Sequence, residues 1–320
     1  MNPYGSRSVE IAALRHAVPY LALFRGRTFV VKVGGGALGD ARALAHVVGQ
    51  VAALHHLGVR VVVVHGGGPQ ASALSRALGL EVRQVAGRRV TDERTLEAVT
   101  MSLNGDANTR LLAACRAAKL PAAGVSGVDG GLVVARRRPP VEVLGESAPV
   151  DYGHVGDIVA VDPRLVVHLL DGGFVPVVSP LAADAEGRLL NLNADGVAAA
   201  LAVALGATKL LVLTEAAGLL EDPSNPASLV SYLDRAGLER RIASGAISGG
   251  MLPKARAIDD ALAGGVPRAH LVSWRSPDAL LLEVFTNEGA GTLVVPELGA
   301  LSLDERVPEP APVVGGSGVE

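Results

Sequence analysis

Two runs in this chain are too apolar to lie on a surface, and each ends at three glycines. The first is Thr28-Phe-Val-Val-Lys-Val33, followed by Gly34–Gly36. The second is Arg60-Val-Val-Val-Val-His65, followed by Gly66–Gly68. β-Branched residues dominate both, which marks strands, and a strand apolar on both faces belongs inside a sheet covered on two sides. A helical pattern from Asp40 to Leu57 separates the two, and another follows the second to about Leu78. Two strand–glycine–helix units in succession predict parallel strands with right-handed crossovers.

Lys32 interrupts the first run. A lysine in a buried strand is costly unless an anion meets its ammonium. The glycines after it let backbone approach a ligand closely. Strand, glycine loop and buried cation together predict a phosphate site. Gly34-x-Gly36-x-x-Gly39 also fits a dinucleotide-binding turn. That reading wants an acid at the end of the next strand, where this chain has His65. The Gly-x-x-x-x-Gly-Lys-Ser/Thr loop is absent, so any nucleotide is held by another device. Lys254 follows Gly249-Gly-Met-Leu-Pro253 at an expected helix start, in a chain whose only other lysines are Lys119 and Lys209. Gly66–Gly68 offer backbone N–H groups to an anion ahead of the next helix. A guanidinium at Arg88 or Arg89, just after Gly87, can grip a carboxylate bidentately. Asn191 and Asp195 bracket a helix start, as caps or as site residues. A lone histidine at a strand end, such as His65, is more often a hydrogen-bonded structural group than a ligand or base. His154, His168 and His270 lack ligand-like spacing, and no metal site is expected.

Along the chain, an amphipathic helical pattern over Val9–Phe24 contains Pro19, which predicts a kink or two pieces. Helices are expected to about Leu103 after a cap at Thr91 or Asp92, and over Asn108–Lys119, Pro163–Leu170, Leu229–Ala243 and Pro253–Ala263. Residues 132–156 suggest hairpins and loops. Strands are expected at Pro121–Val125, Gly173–Ser179, Lys209–Leu213, Arg268–Ser273 and, at an edge, Gly291–Val295. About eight strands alternating with helices predict an α/β fold, a three-layer αβα sandwich around an open, mainly parallel ~8-stranded sheet. The expected organisation is an N-terminal helical extension (1–27), an N-lobe (28–181), a C-lobe (182–297) and a disordered tail (298–320). Of the 320 residues 49% are apolar and only 3% aromatic, which suits such a core. The net charge of −3, with mixed signs, offers no basic field for nucleic acid. No run reaches the ~20 apolar residues of a membrane span, and the N-terminus has no signal-peptide pattern. A single cysteine, Cys115, suggests a reducing, cytoplasmic setting.

Eight runs, in order, resemble one family. They are Phe29-Val-Val-Lys-Val-Gly-Gly35, Val64-His-Gly-Gly-Gly-Pro69, Gly87-Arg-Arg-Val-Thr-Asp92, Gly124-Val-Ser-Gly-Val-Asp-Gly130, Gly153-His-Val-Gly156, Asn191-Leu-Asn-Ala-Asp195, Leu213-Thr-Glu-Ala-Ala-Gly218 and Gly249-Gly-Met-Leu-Pro-Lys254. Over residues 20–295 the chain looks like the amino acid kinase family. Arg-Val-Thr-Asp and Asn-x-Asn-Ala-Asp point to its acetylglutamate kinase branch.

The resemblance implies ATP-dependent phosphorylation of the γ-carboxylate of N-acetyl-L-glutamate, the second step of arginine biosynthesis. Lys32 and Lys254 would flank the transferred phosphoryl group, with Asp195 positioning both. Gly67, Gly68, Arg89 and Asn191 would hold the acyl amino acid in the N-lobe, which also dimerises. Gly34, Gly35, Thr214, Gly218, Leu219, Ile247 and Ser248 would bind ATP, whose Mg²⁺ is held mainly by the nucleotide. His16–Thr28 resembles the extra helix of arginine-inhibited members, implying a homodimer or hexamer and an arginine site at Tyr20, Glu283 and Gly289. Two departures stand out: Glu215 where the family has Asp, and Val33 where it has Tyr or Leu. His270-Leu-Val-Ser-Trp274 also resembles the kinase-like domain of acetylglutamate synthases. The other readings are therefore a synthase component, a non-catalytic arginine sensor, or a kinase for a related acyl amino acid such as carrier-linked aminoadipate.

Overall fold

A computed structural model describes residues 15, 17–143, 145–222, 224–225, 227–286 and 289–300. The expected helix before residue 15 and the expected tail from residue 301 lie outside the described residues. Residues 17–24 are helical straight through Pro19, and 298–300 form a single 3₁₀ turn.

The strands are β1 (Thr28–Val33), β2 (Arg60–His65), β3 (Gln84–Val85), β4 (Arg88–Arg89), β5 (Ala122–Ser126), β6 (Val133–Arg137) and β7 (Gly156–Val161). They continue as β8 (Val175–Ser179), β9 (Leu181–Ala183), β10 (Leu189–Asn191), β11 (Lys209–Thr214), β12 (Tyr232–Asp234), β13 (Ala269–Ser273) and β14 (Thr292–Val295). Eight build the main sheet, in the order β12-β14-β13-β11-β1-β2-β8-β5. Every neighbouring pair is parallel except β13–β14. The half before residue 180 and the half after 208 meet at the β1–β11 seam. A four-stranded sheet, β10-β9-β6-β7, and the β3–β4 pair lie outside it.

The central strands are buried on both faces, as their unbroken valine and leucine runs require. Their alternation divides the core into two layers. Val30, Val62, Val64 and Val212 pack with helices Ala194–Ala204 and Leu252–Ala263. Phe29, Val31, Val33, Val61 and Val63 pack with helices Ala41–His56, Asn108–Ala117 and Ala279–Phe285. Side chains two apart share a face. Lys32 therefore points with Val30 toward the first layer, whose helices carry Asp195 and Lys254.

Four expectations change. The helix expected over Leu229–Ala243 begins with β12, and Asp234 then caps helix Arg235–Ala243 by accepting from the Gly237 N–H at 2.7 Å. Thr292–Val295 is thus not an edge strand, because β12 covers its outer side. The two helices expected around residue 105 are one continuous rod, Glu93–Ala117, with a π-helical turn at Met101–Ala107. A three-residue strand carries no legible periodicity, and a π turn arises from what the helix packs against. The glycines after β1 also do not form a plain loop: Gly35–Gly39 is a short helix.

Candidate active site

Lys32 finds its anion within the protein. Its Nζ lies 2.8 Å from Asp195 Oδ1, and both side chains are less than a tenth exposed. Lys254 Nζ lies 3.4 Å from Asp195 Oδ2 and from the Gly250 carbonyl, and its side chain is 20% exposed. Asp195 stands in the first turn of helix Ala194–Ala204, where a negative charge is favoured. Burial would raise its carboxyl, but the two ammonium groups hold it below the usual carboxylate range. Burial pulls Lys32 below its ordinary value, against the attraction of Asp195. Two cations sharing one carboxylate leave one positive charge uncompensated inside the fold.

The two glycine loops meet beside this triad. A Cβ on Gly35 would stand 2.7 Å from Pro69 Cδ and 3.3 Å from Gly67 Cα. Gln70 Nε2 donates to the Gly35 carbonyl at 2.7 Å. Together they open onto a cavity of about 260 Å³. Lys32, Gly35, Gly67, Gly68, Arg89, Asn191 and Asp195 line it. Arg89 Nη2 donates to the Gly68 carbonyl at 2.9 Å and to Ser72 Oγ, while Nη1 is buried without a partner. Burial, with Arg76 nearby, lowers the Arg89 guanidinium from its ordinary value, the signature of a cation short of an anion. Arg88 also lines the cavity.

Other expected residues fall elsewhere. Gly34 adjoins the triad, since a Cβ there would be 3.9 Å from Lys32 Nζ. Thr214, Gly218, Leu219, Ile247 and Ser248 do not line the cavity but lie beyond the seam, on the β11 side. Leu219 N–H donates to Thr292 Oγ1 at 2.8 Å, and Gly218 is pressed onto that residue. Arg241 ties the Ile247 segment to this loop through Glu221. Glu215, the departure noted above, pairs with Arg275 at 3.2 Å on the surface.

A second cluster lies on the opposite face of the sheet. Lys209 Nζ is 3.1 Å from His270 Nε2, and His270 Nδ1 is 2.7 Å from Glu283 Oε1. Ala290 N–H donates to Glu283 Oε2 at 2.6 Å, beside Gly289 with its φ of 62°. Lys209 stands over the Phe24 ring, which Tyr20 also touches. Tyr20 is thus linked to Glu283 and Gly289 through Phe24, Lys209 and His270, although Glu283 lies 263 positions further along the sequence.

Residues 27–273 match the model of the amino acid kinase family. An acetylglutamate kinase of Myxococcus xanthus is 52% identical over 290 residues, 89% of this chain and 94% of that protein. One from Archaeoglobus fulgidus is 42% identical over 288 residues, covering 90% and 99%. The chain belongs to the amino acid kinase family, in its acetylglutamate kinase branch. Among solved structures, N-acetylglutamate synthase from Neisseria gonorrhoeae, complexed with coenzyme A and N-acetyl-glutamate, has a TM-score of 0.77 at 28% identity. The match covers 90% of this chain but only 63% of the synthase. The same synthase complexed with coenzyme A and L-arginine gives 0.77 at 27%, covering 90% and 65%.

For this family member, residue-by-residue reading passed over three cavity neighbours. Asn193 caps the Asp195 helix by accepting from the Asp195 and Gly196 N–H groups at 2.8 and 3.3 Å. It stood inside the quoted Asn-x-Asn-Ala-Asp run, so its signal was present. Gln70 and Leu103 gave none, because each matters only through the loop it touches.

Proposed function

We propose that this chain transfers the γ-phosphoryl group of ATP to the γ-carboxylate of N-acetyl-L-glutamate, forming N-acetyl-L-glutamyl 5-phosphate and ADP in arginine biosynthesis. The observation that carries this is the Lys32–Asp195–Lys254 triad, two of whose members line a cavity that is also lined by an incompletely paired arginine. A dianionic acyl amino acid suits that arrangement. Arg89 takes the α-carboxylate, and Asn191 with the Gly67 and Gly68 backbone holds the rest. The γ-carboxylate oxygen attacks phosphorus; the new O–P bond forms as the bond to ADP breaks. The acceptor is ionised at pH 7, so no general base is needed. Lys32 and Lys254 neutralise charge on the transferring oxygens, and Asp195 keeps the two like charges in place.

Gly34, Gly35, Thr214, Gly218, Leu219, Ile247 and Ser248 are our candidates for the ATP side. Among the described residues, no group of three or more His, Cys, Asp or Glu could hold a metal ion. Both Asp195 oxygens already face lysines. A Mg²⁺ accompanying ATP would be held by the nucleotide's own phosphates, and no step above depends on it. We place the protein in the cytoplasm as a homodimer or hexamer. Among the described residues no helix is long and apolar enough to cross a membrane.

The test is ATP, Mg²⁺ and hydroxylamine with N-acetylglutamate or aminoadipate derivatives as acceptor. Hydroxamate with N-acetylglutamate supports the proposal; hydroxamate with aminoadipate derivatives alone reassigns the acceptor. None with any acceptor leaves the sensor or synthase-component readings. The arginine complex of the synthase supports a second proposal, that arginine binds at Tyr20, Glu283 and Gly289 and inhibits. Removing residues 1–25 should then blunt inhibition by arginine. Unchanged sensitivity would sink the idea.

A further inference from the structure

One fully buried imidazole beside the glycine loop takes no part in the reaction described. His65 ends β2 with no exposed surface. Its Nδ1 lies 2.9 Å from the Gly66 carbonyl oxygen, and its Nε2 lies 3.1 Å from the side-chain nitrogen of Asn108. That nitrogen also lies 3.1 Å from the Val177 carbonyl on β8. Both ends of this chain are carbonyls, which only accept. The proton positions follow. Nδ1–H donates to Gly66, and the Asn108 amide donates one hydrogen to Nε2 and the other to Val177. A neutral ring with its proton on Nδ1 is the one state that satisfies every member. Burial supports it by pushing the imidazole down to about 4.

The π-helical turn brings Asn108 to this ring. Such turns are rare, occur mostly as single-turn bulges inside α-helices and are frequent at functional sites. Here Met101–Ala107 lies directly on the glycine loop. A Cβ on Gly67 would come 2.5 Å from Leu103 Cδ2. Asn104 accepts from Ser179 Oγ at the end of β8, and Asn108, the next residue after the turn, reaches His65. Gly66, Gly67, Gly68 and Leu103 all line the cavity. The turn thus touches the loop through Leu103 and anchors to the neighbouring strand through Asn104, while Asn108, just after it, reaches the loop through the His65 ring.

We infer that Asn108 and His65 are positioning residues, which fix where the Gly66–Gly68 backbone stands relative to Lys32 and so align the acceptor for phosphoryl transfer. The inference rests on the kinase reading for its activity readout. Asn108→Leu removes the donor to Nε2 and frees the ring to turn away from Gly66. A displaced glycine loop should lower kcat roughly tenfold to a hundredfold, the range expected of small misplacements near reacting atoms. The KM for ATP should stay within about twofold, because ground-state nucleotide binding is untouched. Asn108→Asp should do less damage. It loses the bond to Val177, as Asn108→Leu does, but its carboxylate pairs with an imidazolium that still donates from Nδ1 to Gly66, so kcat should fall less than in Asn108→Leu and His65 should titrate above its ordinary value. Equal losses in the two variants, or a wild-type kcat in Asn108→Leu, would overturn the inference.

Nitrogen-15 NMR of histidine-labelled wild-type protein at pH 7 provides a reading independent of activity. It should show His65 protonated on Nδ1 and bare on Nε2. The opposite tautomer, or a charged ring, would overturn the relay even if both variants failed to fold. A wild type that phosphorylates nothing would reject the kinase reading while leaving the relay to be judged by the tautomer.

Discussion

Asp195 Oδ1 faces Lys32 and Oδ2 faces Lys254, so the two lysines are alike in chemistry but not in setting. Lys32 is nearly buried, whereas Lys254 is 20% exposed at the end of a helix. Either Lys32→Ala or Lys254→Ala should lower kcat by about 10²-fold, as for a lost electrostatic donor. Stability should separate them. Lys32→Ala takes from a buried carboxylate its nearer partner, leaving Lys254 at 3.4 Å, and empties a packed strand position, so it should lower stability. Lys254→Ala should unfold close to wild type. Urea midpoints with acyl-phosphate assays on both variants check this; matching midpoints would contradict the division of roles. Lys32 was legible in the sequence because a charge inside an apolar run has no local explanation. Its partner came only through the family resemblance, because Asp195 is 163 positions away and no local pattern links it to a strand that it meets only when β1 and helix Ala194–Ala204 pack.

At the scale of elements, the two glycine loops depend on each other. Gly35→Ala places a Cβ 2.7 Å from Pro69 Cδ and 3.3 Å from the Gly67 backbone, in a packed site. It should destabilise by about 1–3 kcal/mol and lower activity by prising the loops apart. Gly68→Ala meets nothing within 4 Å and keeps the helical backbone, so its melting temperature should equal or exceed that of the wild type. Thermal melts of the pair decide, and equal losses would refute loop-on-loop packing as the cause. The glycines themselves were easy to see. Which of them bear on one another was not, since that needs β1 and β2 in register, Val33 opposite His65. The π turn and β12 escaped notice for a related reason. Neither has a period of its own, and each exists because a neighbour, the glycine loop or β14, fits it.

For the whole molecule, two buried histidines give the fold an acid-sensitive stability. His65 and His270 are each pushed down to about 4, chiefly by burial. His65 faces Asn108 and a carbonyl; His270 faces Lys209, with Glu283 and Arg268 nearby. The unfolded chain takes up these protons below about pH 6.5 and the native state does not, so stability falls as pH drops from 6.5 toward 4. For His65 alone the full effect is about 3 kcal/mol. Urea midpoints should decline steadily from pH 7 to pH 5, and a flat profile would show that the rings are not buried neutral. The layered architecture was already implicit in the chain. Valine runs ending in glycines, separated by amphipathic helices, leave a covered parallel sheet as the way to bury both strand faces, and eight motifs in order named the family. Those signals are local, because propensity and period act over a few residues. What required the folded chain was every relation across the sheet. It decided that Asp195 gives one oxygen to Lys32 and the other to Lys254, that Arg89 keeps one buried nitrogen unpaired, and that a π turn braces His65. It also placed Lys209, His270 and Glu283 on the opposite face. These depend on strand register and layer packing, which bring together side chains that no local pattern connects.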